Sequence, residues 1–226
     1  CHVEEPSEDF YRKYIGGSSL GVYYALTKMP PRIDAFDPRN VLVFATSATT
    51  GAPISGASRF NVTAKSPLTG AIGDSQAGGF WGTELKYAGF DAIVVTGRSS
   101  QPTYLWICDG EYELRDAAAI WGTETGEAQR AIREELRDPK VRIALIGQAG
   151  ENLVRYACIT NELKHFNGRT GMGAVMGSKN LKAVAVRGTR PPQFADKDTI
   201  TALARSGAKR SATHPVALSL RNYGTA

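Results

Sequence analysis

Short apolar runs alternate with glycine- and proline-marked breaks along most of this chain. Val41–Ala45 is an apolar run of the kind that forms a buried strand. Arg59–Lys65 alternates polar and apolar side chains, which predicts a strand with one buried face. Ala92–Thr96 predicts another buried strand, ended by Gly97. Tyr104–Cys108 and Tyr112–Arg115 flank Asp109-Gly110, a strong hairpin signal. Val141–Ile146, Tyr156–Thr160 and Leu181–Arg187 predict three further strands.

Helical patterning is sparser. Residues 6–14 predict a short helix, broken by Ile15–Ser19; Ser18 or Ser19 then caps a helix over Leu20–Met29, stopped by Pro30-Pro31. Residues 124–136 place Ala128, Ile132 and Leu136 on one helical face, and Asp138-Pro139 ends that helix. Regular helices do not separate the strands, so a doubly wound parallel sheet is disfavoured. The expected class is α+β, a β-rich domain with more than one mixed sheet and a few helices. After Pro191-Pro192 the texture becomes that of a polar helix, about Asp198–Arg210, which places a domain boundary near residue 190.

Composition narrows the function. The 226 residues are 42% hydrophobic and 22% charged, ordinary for a globular domain. No apolar run is long enough to span a bilayer and no secretory leader opens the chain, so a cytoplasmic protein without membrane association is expected. Cys1, Cys108 and Cys158 are far apart, as are His2, His165 and His214. Neither a disulfide framework nor a metal held by side chains is expected from them. The net charge of +5 is mild and interspersed with acids, as in Glu134-Glu135-Leu136-Arg137-Asp138, so nucleic acid is not the expected partner.

Four segments combine dense glycine with polar residues: Gly16–Gly21, Gly51–Arg59, Gly73–Gly82 and Asn167–Gly173. Glycine lets backbone amides approach a bulky ligand, and arginine grips phosphate in two places. With Arg59 and Arg169, these loops suit a large, flat, phosphate-bearing cofactor; tight turns between strands are the alternative reading. Gly168–Gly173 lacks the GK[ST] ending of a P-loop, and His165-Phe166-Asn167 does not read as the strand a dinucleotide fingerprint needs. No GxSxG elbow or nucleophile constellation appears. Cys108, Cys158, Trp81 and Trp106 read as packing residues, although Trp81 beside a glycine pair could wall a pocket. Glu84 and Lys86 read as helix-surface charges.

Three long strings carry a family resemblance. Thr63-Ala64-Lys65-Ser66-Pro67-Leu68-Thr69-Gly70 is followed by Gly78-Gly79-Phe80-Trp81-Gly82-Thr83-Glu84-Leu85-Lys86-Tyr87-Ala88-Gly89-Phe90-Asp91-Ala92. Gly147–Val154 reads GQAGENLV, and Gly171–Ala183 reads GMGAVMGSKNLKA. Together they resemble the aldehyde:ferredoxin oxidoreductases over about residues 12–190. That resemblance implies an amino-terminal domain of two β-sheets, residues 1–190, forming a base for tungsten (or molybdenum) held by two molybdopterins. Residues 191–226 then begin the following helical domain.

By the same resemblance, Arg59 contacts a pterin phosphate. Gln76, Ala77, Gly78 and Gly79 line the cofactor, as do Phe166, Asn167, Gly168 and Arg169. Backbone carbonyls of Gln76 and Asn167 help hold a magnesium ion that bridges the phosphates. Gln76 stands where asparagine is common, Phe166 and Asn167 replace small residues, and Ser18-Ser19 stands where "RG" is frequent. The implied reaction oxidises a small aldehyde to a carboxylate, with electrons passing through a [4Fe–4S] cluster to ferredoxin or an electron-transfer subunit. No residue of this chain is assigned a catalytic role, and a homodimer is compatible with the resemblance. The chain reads as a fragment: it lacks the family's usual first strands, and Asn222–Ala226 resembles sequence just past the first domain. Cluster cysteines and acid/base residues are expected downstream. Two rivals are a benzoyl-coenzyme A reductase-like tungsten subunit and a non-catalytic module that binds a pterin or another phosphate ligand.

Overall fold

The computed structural model describes residues 1–224; Thr225 and Ala226, the last two residues of the Asn222–Ala226 string, lie outside the described residues. Helices α1 (Glu8–Lys13) and α2 (Gly17–Lys28) precede strands β1 (Leu42–Thr46), β2 (Phe60–Lys65) and β3 (Ile72–Ala77). Then come α3 (Trp81–Tyr87), β4 (Ala92–Val95), β5 (Thr103–Cys108), β6 (Glu111–Asp116) and α4 (Thr125–Leu136). The rest is β7 (Arg142–Leu145), α5 (Gln148–Glu151), β8 (Ile159–Asn161), β9 (His165–Asn167), α6 (Met172–Ser178), β10 (Leu181–Arg187), α7 (Lys197–Ser211) and α8 (Pro215–Tyr223).

The strands form two sheets, ordered β3-β2-β1-β4 and β6-β5-β10-β7-β8-β9. The α+β class holds. The smaller sheet is wholly antiparallel, and the larger is mixed through its β5–β10 pair. Asp109 and Gly110 both adopt positive φ between paired Cys108 and Glu111, the two-residue hairpin their sequence predicts.

Burial periodicity explains the layering. Leu42 and Phe44 of β1 and Phe60, Val62 and Ala64 of β2 point inward, meeting Leu105, Ile107, Ala144, Ile146, Val184 and Val186 of the larger sheet. Trp81 and Leu85 of α3 and Val175 and Met176 of α6 fill the same interlayer. Trp81 is a wholly buried packing residue rather than a pocket wall: its Nε1 donates to the Val184 carbonyl at 2.9 Å. Its ring lies 4.5 Å from Phe60, a contact that contributes about 0.5–1.5 kcal/mol beyond area burial. Helix α2 covers the outer face of the smaller sheet through Leu20 and Tyr24. Helix α4 covers the outer face of the larger through Ala128 and Ile132. Helices α7 and α8 bury no residue.

Several local expectations change. Residues 72–77 form a strand rather than a glycine loop, and His165–Asn167 is a strand after all. Backbone pairing to β2 and β8 supplies what glycine and polar residues lack in intrinsic preference. Strand β2 is buried on both faces, because α2 covers Asn61 and Thr63. Strand β4 is only half-buried, since it lies at a sheet edge. The N-cap of α2 is Gly16, and Ser18 turns instead to Asp74. The strand expected from Tyr156 begins at Ile159, leaving Cys158 just before it. Glu84 is not a surface charge: it accepts from Arg187 across the interlayer at 2.7 Å, and Lys86 pairs with Asp91.

Candidate functional site

The four glycine-rich segments gather on or beside edge strand β3: Gly16 and Arg59 lie at the end where β3 runs out, the third segment contains most of β3, and the fourth runs along it from Ser75 towards Ser66. Strand register places Thr46 opposite Phe60 and Phe60 opposite Ala77. Arg59, one residue before Phe60, therefore emerges beside the end of β3, where Gln76–Gly79 run out of the sheet. The first segment joins through a Gly16–Ser47 bridge. The second joins through Thr50, whose hydroxyl donates to the Arg59 carbonyl at 3.0 Å.

The Asn167–Gly173 segment is bonded to the middle of β3 and runs along that edge strand, with Ser66 Oγ donating to the Thr170 carbonyl at 2.7 Å. Buried Asn167 donates its amide to the Ser75 carbonyl at 2.8 Å. The Arg169 backbone N–H donates to Ser75 Oγ at 3.2 Å. Gln76 and Asn167, the two expected magnesium donors, are thus one residue from direct contact across 91 positions of sequence. Asn167 Oδ1 is buried without a partner, an unfilled acceptor beside these carbonyls.

The glycines divide into two groups. Gly173 and Gly177 serve packing: a methyl group there would lie 2.3 Å from the Cys158 carbonyl and 2.0 Å from that of Gly150. They let α6 press against the segment before β8. Gly78 and Gly168 are different, with no other side chain or backbone closer than 3.8 Å and 3.7 Å to the position of an added methyl. Their amides lie on accessible backbone, as a bulky ligand requires. Arg59 and Arg169 are exposed. Among the described residues, Arg59 joins the network only through its carbonyl, and Arg169 only through its backbone groups. Both guanidinium groups remain available for an anion. Phe166, 52% exposed, adds an apolar edge.

Sequence reasoning missed what supports this surface from below. Asp74 accepts from Ser18 (2.9 Å), Asn61 (2.8 Å) and Thr63 (2.8 Å), locking α2 onto β2 and β3. The signal was the polar half of the β2 alternation, which looked solvent-facing. Glu162, at the β8–β9 turn, accepts from the Phe80 backbone N–H at 3.0 Å. Asn161, with its amide nitrogen turned to them, donates to the Gly78 carbonyl (3.2 Å) and to Glu162 (2.6 Å). A polar pair thereby fixes the Gly78–Gly79 turn, and no sequence pattern points to it.

Among the described residues, no three His, Cys, Asp or Glu side chains are grouped to hold a metal. What gathers here is a pair of unengaged guanidinium groups, accessible amides, backbone carbonyls and one orphan amide oxygen. This donor set fits a phosphate-bearing ligand and a hard cation riding on it. Fold and site together define a two-sheet α+β base with a surface suited to a phosphate-bearing ligand.

Comparison with known proteins gives that base a lineage. The family model for the aldehyde ferredoxin oxidoreductase N-terminal domain matches residues 1–188, and the chain belongs to that family. It is 45% identical to the tungsten-containing aldehyde ferredoxin oxidoreductase of Pyrococcus furiosus over 225 residues, 99% of this chain and 37% of that protein. The aliphatic sulfonate oxidoreductase WOR-like subunit of the same organism is 35% identical, over 89% of this chain and 34% of its own length. The solved active-site complex BamBC of benzoyl coenzyme A reductase, with 1,5-dienoyl-CoA, superposes with a TM-score of 0.89. It is 36% identical and covers 92% of this chain and 32% of that one. The chain therefore spans about a third of the length of these relatives. No helix among the described residues is long and apolar enough to cross a membrane.

Proposed function

We propose that residues 1–190 form the base on which a tungsten (or molybdenum) bis-molybdopterin lies in an oxidoreductase that converts aldehydes to carboxylates. The observation that carries this reading is the gathering of Arg59, Gln76–Gly79 and Asn167–Arg169 along edge strand β3, with both guanidinium groups unengaged. Arg59 and Arg169 would neutralise the pterin phosphates, and the amides of Gly78 and Gly168 would approach them where no side chain intervenes. Carbonyls of Gln76 and Asn167 would hold magnesium, a cation that favours carbonyl and phosphate oxygens. Phe166 would pack against the flat ring system. The cofactor supplies the oxygen and electron chemistry, and this chain binds and orients it.

The whole protein's electron path, in this reading, runs through a [4Fe–4S] cluster to ferredoxin or an electron-transfer subunit in the cytoplasm. On the same reading the cluster ligands and acid/base residues would be supplied by other parts of the whole protein. Residues 191–226 would open the following helical domain; the family match ending at residue 188 and the unburied α7 and α8 support that division.

A second reading keeps the cofactor and changes the substrate to an aromatic coenzyme A thioester. The BamBC superposition favours it. Metal analysis of the protein made without oxygen, followed by assays with aldehydes and with benzoyl-coenzyme A, tests both. Tungsten with about four irons per chain and aldehyde-dependent dye reduction support the first. The same metals with ring reduction support the second. Protein that takes up neither metal nor pterin overturns both and leaves a phosphate-binding module.

A further inference from the structure

Helix α4 has a second face that the cofactor reading does not use. Ala128 and Ile132 enter the core. Gly126, Gln129, Arg130, Arg133 and Arg137 recur at i, i+3, i+4, i+7 and i+11, one continuous stripe. That stripe walls an open surface groove of about 630 Å³, whose lining also includes Pro139 and Leu163. The volume is within the range of small-molecule sites, roughly 300–1,000 Å³.

The charges in this groove are unevenly matched. Asp138 is already engaged, accepting from Arg187 at 3.0 Å and from the Lys140 N–H at 2.8 Å. Glu134 is exposed. Arg130, Arg133 and Arg137 line the same groove. Arg133 is held by a bond from its Nε to the Val141 carbonyl at 3.0 Å. Burial, and then the neighbouring Arg142, push its guanidinium below the usual arginine value. Gln129 is only 8% exposed, and its Oε1 has no partner. Arg137 occupies the left-handed C-cap (φ 54°), where glycine is preferred. An arginine is thus kept where its backbone costs about 1–2 kcal/mol.

We infer that the Gln129–Arg137 stripe of α4 is a binding site for a small polyanion of the phosphate class, separate from the Arg59–Arg169 cradle. Arg130, Arg133 and Arg137 would hold the anion by charge-assisted bonds. Gln129, with its amide turned to present the NH2 group in place of the unpartnered Oε1, supplies a donor at the base of the stripe, and Leu163 an apolar surface for an uncharged portion. Leu163 belongs to the same β8–β9 turn as Glu162, so the occupant would sit behind the hairpin that carries Asn167.

Calorimetric titration of inorganic pyrophosphate into the cofactor-loaded protein tests this, because the cradle is then filled. Saturable binding is expected, weakened at least tenfold in R130Q/R133Q, strengthened several-fold in E134Q and unchanged in R59Q. The R130Q/R137Q variant alters two exposed side chains and should show the same weakening if R130Q/R133Q folds poorly. No binding, or affinity indifferent to the α4 substitutions, or affinity lost in R59Q, overturns the proposal. So does a fall in melting temperature in the α4 variants with pyrophosphate affinity intact, the result expected of arginines that only stabilise the helix end.

Discussion

Lys182 and Glu151 form an ion pair with side chains 0% and 4% exposed. They come from two of the strings that carry the family resemblance, GSKNLKA and GQAGENLV, and join β10 to α5. Glu151 also accepts from the Gly122 N–H at 2.8 Å, and Lys182 donates to the Thr123 carbonyl at 3.3 Å. Both lysines of the first string are structural: Lys179 donates to the carbonyls of Pro38, Asn40 and Gly97.

Removing one partner of the buried pair strands the other. K182M or E151Q should each destabilise the protein by about 3–5 kcal/mol in urea unfolding. The double substitution K182M/E151Q should cost clearly less than the sum. Additive losses would mean that the two charges do not interact.

Lys179 makes stability depend on pH. Burial pushes its ammonium down to about 8 from an ordinary value of 10.5. Between those values the unfolded chain holds the proton more often than the folded one, so the Lys179 contribution to stability rises with pH across that window. Below pH 8 both states are charged and the slope vanishes. The stability difference between wild type and K179M should therefore grow in favour of wild type from pH 8 to 10.5, by at most about 3 kcal/mol. A difference that is flat or falls there contradicts this.

Gly79 tests the support beneath the cradle. Its φ is +92°, and a methyl group would lie 2.1 Å from Glu162 Oε2 and 2.3 Å from the Asn161 amide. G79A should lower stability by about 2 kcal/mol or more and reduce cofactor retention. Gly56 has a similar φ of +87° with nothing within 4 Å. G56A should cost only about 1 kcal/mol, the backbone penalty alone. Equal effects of the two substitutions, read by thermal melts, would remove the role assigned to Glu162 and Asn161.

Arg59 and Arg169 should matter to the ligand and not to the fold. R59Q and R169Q are expected to leave the stability of cofactor-depleted protein within about 0.5 kcal/mol of wild type. Pterin and tungsten retention after gel filtration should fall several-fold in each. Full retention in both variants would detach these residues from the cradle.

Some of this was open to inspection in the primary structure. Apolar runs at β1, β5, β7 and β10 and the Asp109-Gly110 turn announce themselves, because burial on a pleated sheet and a positive φ demand particular residue types locally. The glycine-rich loops stand out too, but glycine alone is equally a sign of tight turns, and only their joint occurrence with Arg59 and Arg169 singles them out as candidates. Strands β3 and β9 were not visible. Their residues have little strand preference, and partners far away in the chain hold them in place.

Residue types along the chain therefore determined by themselves the α+β class, most strands and the candidates for gripping a phosphate, because each depends on local spacing and side-chain chemistry. Tertiary structure alone decided that Asn167 bonds to Ser75 and that Glu162 supports the Phe80 end of the Gly78–Gly79 turn. Those relations join positions more than 80 residues apart, and only the register between strands and the packing of two sheets brings them within bonding distance.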